Sequence, residues 1–308
     1  MKVSVFSNPS KDMYLSNTFK LLCFLKSYKA DIFMSVRCYD EVRTIPVWKQ
    51  NIEGNFKITV LPEQTLFTST DFGIVLGGDG TILRVAKRSA GTDFHIMGIN
   101  LGKVGYIAEL EMNELDLLKD VLKCNTIEEY IKSTNCVIDN RMLLSVDIIQ
   151  NSNVVYSSTV LNDAVISKGS VSKMINIDVL CNSKKMTSYR ADGIIVSTPT
   201  GSTAYSMSAG GPLIDPTIEC ICSVPVCPYL CLNRSPVIYS DASVIDIVYH
   251  EQKGSEAYLT VDGKGGKKLC DGDVVRIKKC PHKAKLLRLK NIDFYKLLNM
   301  KMSKTNEN

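Results

Sequence analysis

Apolar positions along this chain follow two different periods, and the change between them divides it. In the first third, short apolar runs alternate with helically spaced residues. Val3 to Ser7 predicts a strand, and Leu15, Phe19, Leu22 and Leu25 share one face of a helix from about Tyr14 to Tyr28. Ile58 to Leu61, Gly73 to Leu76 and His95 to Asn100 predict further strands, with a helix from Ile82 to Ala90 after the second of them. Met112 to Lys123 predicts a helix capped by Asn113, with Leu115, Leu118 and Leu122 on one face. Strands that alternate with helices need crossover connections, which implies a parallel sheet. The stretch from Met34 to Asn55 resembles no pattern that assigns it.

After about residue 135 the pattern changes. Arg141 to Gln150, Val154 to Lys168, Met174 to Asn182, Gly193 to Thr198, Val237 to Ser240, Val244 to His250, Ala257 to Asp262 and Asp273 to Lys279 all read as strands. The alternation in Val244 to Val248 and Val274 to Ile277 is that of antiparallel strands with one buried face. Ile292 to Met302 returns to helical spacing through Phe294, Leu297 and Leu298. The expected fold class is therefore α/β with a parallel sheet over residues 1–134, then a β-rich, largely antiparallel domain over 135–289. A C-terminal helix within 290–308 is expected to pack back on the first domain. Lys304 to Asn308 reads as a disordered end, and no internal repeat is present.

Composition narrows the function classes. A chain of 308 residues with 45% hydrophobic and 22% charged residues is that of a soluble globular protein. A formal charge of +5 suits an anionic small molecule and is too weak to argue for nucleic acid. No apolar run reaches the roughly 18 residues that span a bilayer, so no membrane partner is expected. Met1 to Phe6 reads as a first strand rather than a signal peptide, because Ser7, Asn8 and Ser10 interrupt it. Eleven cysteines, an odd number scattered from Cys23 to Cys280, argue for a reducing compartment and a cytoplasmic setting. Cys220, Cys222, Cys227 and Cys231 lack the paired spacing of zinc ribbons and fingers, so buried or loop thiols are the preferred reading.

The candidate chemistry starts at Leu76-Gly77-Gly78-Asp79-Gly80-Thr81, which follows a buried strand and opens a helix. Gly78 and Gly80 let the backbone approach an anion closely, and the helix aims its N–H groups at it. Asp79 sits where a carboxylate would otherwise repel phosphate, which suits a base or a metal ligand in phosphoryl transfer. Plain turn chemistry is the competing reading, and the Gly-Lys-Ser/Thr ending of a Walker loop is absent. Arg84, one turn into the helix, could reach donor phosphates or simply face solvent. A second segment, Arg190 to Pro216, is dense in small and hydroxyl residues. Its strand breaks at Pro199 to Gly201, and Ser202 to Ser208 opens a short helix suited to ribose and phosphate.

Ordered blocks over about residues 73 to 280 are similar to the NAD kinase family. They are Gly77 to Thr81, Gly98 to Gly102 with Gly105-Tyr106, Leu161-Asn162-Asp163, Arg190 to Gly211, and Val261-Asp262-Gly263. The resemblance implies transfer of a phosphate from ATP, with Mg²⁺, to the 2′-hydroxyl of the adenosine ribose of NAD. It implies no tightly bound cofactor and no metal-ligating side chains of the protein's own, and a homodimer or homotetramer. By the same resemblance Asp79 would be the catalytic carboxylate, with Gly78 and Gly80 shaping the phosphate loop. Asn162, Asp163 and Asp192 would bind the dinucleotide. Thr203, Ala204, Tyr205, Ser206, Met207 and Ser208 would line the adenosine pocket. Arg190 and Lys173 stand where the family places polar or cationic groups near the new phosphate.

This chain departs from the family pattern in places. Cys227-Pro228-Tyr229 replaces a Cys-Pro-His run, and Arg234-Ser235-Pro236 carries an extra residue. Lys264 follows Asp262-Gly263 where relatives often have an amide or arginine, in a hairpin loosened by glycines at 263, 265 and 266. The alternatives are a lipid or sphingoid kinase sharing the glycine loop, and a non-catalytic dinucleotide-binding regulator. The hydrophilic Ser/Thr block and the lack of a basic amphipathic helix weigh against the first, and Asp79 against the second.

Overall fold

The computed structural model describes residues 1–102, 105–134, 136–169, 171, 173–230, 234–290 and 294–305. The chain forms two compact units, Met1–Asn140 with Ala284–Asn308, and Arg141–Lys283.

The first unit is a parallel sheet with helices. Its strands are β1 (Lys2–Ser7), β2 (Asp31–Ser35), β3 (Ile58–Leu61), β4 (Phe72–Gly77), β5 (His95–Asn100) and the short β6 (Leu110–Glu111). Their order is β3-β2-β1-β4-β5, so chain order reverses between β1 and β4. Both of those strands are buried almost throughout, as strands covered on both faces must be, and β4 is apolar along its whole length. Helix α1 (Ser16–Ser27) buries Leu21, Leu22 and Leu25 against this sheet's core. Its start is held by Asp12, whose carboxylate accepts from the backbone N–H groups of Asn17 and Thr18 at 3.1 and 2.8 Å.

Several local expectations change. The unassigned stretch from Met34 holds helix α2 (Val36–Arg43), capped by Ser35, and a π-helical turn at Trp48–Ile52 that buries Trp48. Helix α3 (Glu63–Ser69) precedes β4, and helix α4 (Asp79–Arg88) starts three residues earlier than expected, with Gly78 as its cap. Met112–Leu118 is 3₁₀ and only Lys119–Lys123 (α5) is α-helical. The cap there is Glu111 rather than Asn113, because the Glu114 side chain folds back to accept the Glu111 N–H at 2.8 Å. Helix α6 (Ile127–Ser133) follows.

The second unit is built from antiparallel strands. β7 (Val137–Gln150), which begins in the first unit, pairs with β8 (Asn153–Val160). β9 (Asp163–Lys168), β10 (Ile175–Cys181), β11 (Lys184–Ala191) and β12 (Gly193–Ser197) follow. Past the short helix α7 (Tyr205–Ser208) come β13 (Cys220–Val226), β14 (Val237–Ser240), β15 (Ile245–His250), β16 (Ala257–Val261), β17 (Lys264–Leu269) and β18 (Val274–Arg288). One sheet runs β14-β13-β12-β9-β16-β17, and β11, β10, β15 and the start of β18 form another array. Their facing residues, among them Ile166, Val196 and Leu259 with Ile177, Tyr249 and Val275, share one core.

Three strands of the second unit escaped the sequence pattern for separate reasons. β17 (KGGKKL) is an edge strand protected by lysines, which erases its alternation. β13 contains Pro225, tolerated because β14 pairs only with Cys220 to Ser223 and ends before it. β11 exposes most of its residues. The last five residues of β18 lie in the first unit, where Lys285 and Leu286 pair with β5. Helix α8 (Phe294–Thr305) also belongs to the first unit, with Leu298 buried. It includes Lys304 and Thr305, expected to be disordered, while residues 306–308 lie outside the described residues.

Candidate active site

In the first unit the reversal between β1 and β4 fixes where a ligand can sit. Loops at the carboxyl ends of the two strands diverge there and leave a crevice. Asn8 follows β1 and Gly78 follows β4, and the two loops are joined by Asn8 Nδ2 donating to Thr81 Oγ1 at 2.8 Å. Helix α4 begins at this crevice, so its first N–H groups, which lack partners within the helix, point into it. Gly77 is needed by the fold, since a Cβ there would lie 2.6 Å from Thr81 Oγ1. At Gly78 and Gly80 a Cβ would meet nothing within 4 Å, and neither residue has a positive φ. Nothing inside the protein demands glycine at those two positions. The space left over suits an anion lying against the backbone.

Asp79 occupies the first turn of α4. Its carboxylate accepts from the Tyr106 N–H at 2.6 Å and the Ile107 N–H at 3.2 Å, which fix its orientation. Gly105 makes that approach possible, because a Cβ there would sit 2.0 Å from Asp79 Oδ1. Burial first, and the charge of Asp79 second, push the Tyr106 phenol above its ordinary pKa. Further along α4, Arg84 has its Nε buried with no hydrogen-bond partner among the described residues.

The second unit holds a pocket of about 440 Å³ lined by Asn162, Asp163, Ala204, Tyr205, Thr260 and Asp262, among others. It forms where the expected strand Val154 to Lys168 is interrupted at Leu161-Asn162. Asp262, at a φ of 48°, causes the interruption by accepting the N–H groups of Leu161, Asn162 and Asp163 at 3.3, 2.8 and 3.2 Å. The Asn162 carbonyl then accepts from the Thr198 N–H at 2.9 Å. Gly201 packs on that same carbonyl so closely that a Cβ would be 2.1 Å from its oxygen. Buried Arg141 steadies the far side, donating from Nη1 to Thr200 Oγ1 at 3.2 Å.

The pocket presents acceptors. Asn162 Oδ1 is buried without a partner among the described residues. Burial, and then the neighbouring charge of Asp262, raise the Asp163 carboxyl from 3.8 to about 6. Tyr205 keeps half its surface exposed and offers a ring face. Such a set fits a ligand rich in donors, such as ribose hydroxyls or an exocyclic amine, with a planar ring beside them.

The other sequence candidates are placed differently. Asp192 ion-pairs with Lys168 at 3.0 Å, and Thr203 Oγ1 donates to the Thr200 carbonyl at 3.2 Å. Ser206 Oγ is buried without a partner among the described residues, while Met207 and Ser208 are exposed. Lys173 joins the Gly254 turn through its backbone, donating to the Gly254 carbonyl at 3.0 Å. Lys264 starts the exposed strand β17. Arg190 lies 5.5 Å over the Tyr229 ring and lines a separate recess with Asp178 and His250. There the hydrogen bonds from Ser188, Lys185 and His250 overcome burial and hold Asp178 down at about 2.

Sequence reasoning missed Asn8 and Arg141, and it saw Thr81, Thr198 and Asp262 only as parts of blocks. The Asp-Gly pair at 262–263 was the available signal for a turn. Cys220 and Cys222 are buried on β13, and burial pushes the Cys222 thiol up to about 11. Cys227 is exposed, and Cys231 lies outside the described residues. Among the described residues no group of three or more His, Cys, Asp or Glu side chains is arranged to hold a metal ion.

Comparison with known proteins agrees with this geometry. Residues 33–125 match the family profile of the ATP-NAD kinase N-terminal domain, and residues 161–289 that of the ATP-NAD kinase C-terminal domain. The chain is 33% identical to an NAD kinase of Natranaerobius thermophilus, over 98% of this chain and 97% of that one. It is 35% identical to an NAD kinase of Thermoanaerobacter sp. (strain X514), over 98% and 99% respectively. Among solved structures it is similar in fold to yeast NADH kinase complexed with NADH (TM-score 0.82, 24% identity, 98% of this chain and 87% of that one). An Archaeoglobus fulgidus NAD kinase in complex with ATP gives a TM-score of 0.66 at 22% identity, covering 98% and 99%.

Proposed function

This chain belongs to the NAD kinase family, and we propose that Asp79 is the base that starts its reaction. The reaction is transfer of a phosphate from ATP to the 2′-hydroxyl of the adenosine ribose of NAD, giving NADP. A sugar hydroxyl is a poor nucleophile until its proton is removed during attack. The 2′-oxygen forms a bond to the γ-phosphorus, the bond from that phosphorus to the ADP oxygen breaks, and Asp79 accepts the proton. The donor enters as its Mg²⁺ complex, the cation neutralising the polyphosphate. The N–H groups around Gly78 and Gly80 hold the transferring end, and Arg84 adds positive charge one turn further along.

The pocket of the second unit takes the adenosine half of NAD. Asn162 Oδ1 and the Asp163 carboxylate accept from its hydroxyl and amino groups, and Tyr205 stacks on the base. The observation that carries the reading is Asp79, aimed by the Tyr106 and Ile107 N–H groups beside glycines whose Cβ space is empty. The profile matches add nothing to the lipid-kinase or regulator readings. The test uses purified protein with NAD, ATP and Mg²⁺, and NADP formation read through an NADP-specific dehydrogenase. Signal that needs all three components supports the reading. NAD binding without any turnover would leave only a binding protein.

A homodimer or homotetramer is part of the proposal. Edge strands β8 and β14 carry exposed Val154, Val155 and Ile238, and self-association is one way to cover them. A monomer at micromolar concentration in solution would overturn it. The ten cysteines among the described residues are free thiols, which suits a reducing, cytoplasmic setting. No helix among the described residues is long and apolar enough to cross a membrane.

A further inference from the structure

The Asp79 carboxylate takes its direction from a segment with little structure of its own. Residues 105–109 form neither helix nor strand, and from them Tyr106 and Ile107 donate to Asp79 at 2.6 and 3.2 Å. A side chain aimed by such a segment is only as well placed as the segment itself. The segment is held on its other side by a residue 181 positions further along the chain. Arg288 Nη1 donates to the Ile107 carbonyl at 2.9 Å and to Glu109 Oε2 at 3.2 Å. Ile107 therefore binds Asp79 through its N–H and Arg288 through its carbonyl.

Arg288 ends β18, just beyond the two residues that pair with β5. Its Nε and Nη2 both donate to Asp139 Oδ2 at 3.0 Å. Glu109 is fixed in turn, since its N–H donates to the Gly98 carbonyl of β5 at 2.9 Å. Its Oε1 accepts from the Leu289 and Lys290 N–H groups at 2.9 and 2.6 Å. The side chains of Arg288 and Glu109 are 14% and 7% exposed, so water screens this pair little. All of these residues belong to the first unit. An ion cluster that served only to fasten the C-terminal segment would be complete with its two carboxylates. Arg288 also directs a donor to the backbone carbonyl of a residue that aims Asp79.

We propose that Arg288 is a positioning residue for the phosphoryl transfer, holding Tyr106 and Ile107 so that Asp79 faces the attacking hydroxyl. The proposal rests on Asp79 being the base. Three guanidinium nitrogens pointing in different directions serve Asp139, Ile107 and Glu109 at once. A lysine ammonium has the same charge at a single atom, and it would turn to the carboxylates and leave the Ile107 carbonyl unheld. The return of the chain to its first unit thereby completes the site as well as the sheet.

The test compares Arg288→Lys with wild type, Asp79→Asn and Leu21→Ala, each as the full chain. Leu21→Ala opens a cavity in the core beneath α1 and serves as the destabilised control. Arg288→Lys keeps a positive charge between Glu109 and Asp139, so the protein is expected to fold. Its kcat for NADP formation should fall about 10- to 100-fold, while the KM values for NAD and ATP stay within about twofold. Backbone hydrogen exchange over residues 105–109, followed by mass spectrometry, should become at least about fivefold faster. Asp139→Asn, which loosens the far side of the guanidinium, should show the same split with a fall in kcat of about threefold. Leu21→Ala should lose stability and keep its kcat per folded molecule. Normal kcat in both Arg288→Lys and Asp139→Asn, beside an inactive Asp79→Asn, overturns the proposal and leaves the base assignment standing. So does a fall in kcat with exchange over 105–109 unchanged, or one that Leu21→Ala shares. Near-normal turnover by Asp79→Asn would instead end the base reading, and this proposal with it.

Discussion

The glycine loop of the first unit and the pocket of the second use the same residue type for opposite ends. At Gly78 and Gly80 a side chain would meet no protein atom within 4 Å, so the space belongs to whatever binds there. At Gly201 a side chain would strike the Asn162 carbonyl at 2.1 Å, so the space is already filled by the protein. The first site is backbone and emptiness, assembled by the order of parallel strands. The second is a clasp, in which Asp262 and Thr198 bend one strand end and Gly201 locks it. A glycine-rich motif in sequence therefore says nothing about which of these it is until its neighbours are known.

The largest effect should come from the one side chain that the first site needs. Asp79→Asn keeps the size of the group and an acceptor for Tyr106 N–H, yet removes the base, so turnover should fall by about 10²- to 10⁴-fold. The affinity for NAD, measured by calorimetry, should stay unchanged. Near-normal turnover would remove Asp79 from the mechanism.

A matched pair of substitutions sharpens the comparison itself. Gly80→Ala lies within a helix in open space, so resistance to urea should hold or rise by about 0.5–1 kcal/mol while turnover drops at least about tenfold. Gly201→Ala should lower stability by about 1–3 kcal/mol through overpacking and raise the KM for NAD. If the two variants behaved alike, the distinction between space for a ligand and space for the chain would collapse.

Much of the architecture was legible because it is periodic. Buried parallel strands such as β4 read as continuous apolar runs, and β15 showed its alternation directly. The failures occurred where tertiary contact outweighed local pattern. The break before Asp163 is made by a carboxylate about a hundred residues further along the chain, which no local window contains. The lysines of β17 hide a strand because an edge has to be protected. The site was legible as motifs, since Asp79, Asn162, Asp163 and Tyr205 stood in recognisable blocks. Its supports were not, because Asn8 and Arg141 are ordinary residues made important by what folds against them.

A smaller effect comes from proton occupancy at the clasp. Burial beside Asp262 lifts Asp163 from 3.8 to about 6, so the folded chain holds this proton more tightly than the unfolded one. Its contribution to stability therefore declines as pH rises from about 4 to about 6 and is flat above that. Ligand donors need the ionised form, so the KM for NAD should fall about five- to tenfold between pH 5 and pH 7. Asp163→Asn should flatten that profile. A pH limb that persists in the variant would assign the titration to another group.

The smallest effect belongs to a residue outside both regions. Tyr229 stands where the sequence resemblance leads one to expect histidine, and its ring lies 5.5 Å from the Arg190 guanidinium. The ring is half exposed, so this cation–π contact contributes about 0.5–1 kcal/mol. Tyr229→His should lose no more than that at pH 8, where the imidazole is neutral. At pH 5.5 an imidazolium would face Arg190, and the loss should grow by a similar amount. The Tyr229 N–H still donates to the Arg190 carbonyl at 2.8 Å, and Arg190 still pairs with Asn176 across the sheet, so the backbone has no reason to move. Urea unfolding at the two pH values checks this, and the KM for NAD should not change. A loss well beyond that range would mean that the ring, rather than strand pairing, holds this corner of the second unit together.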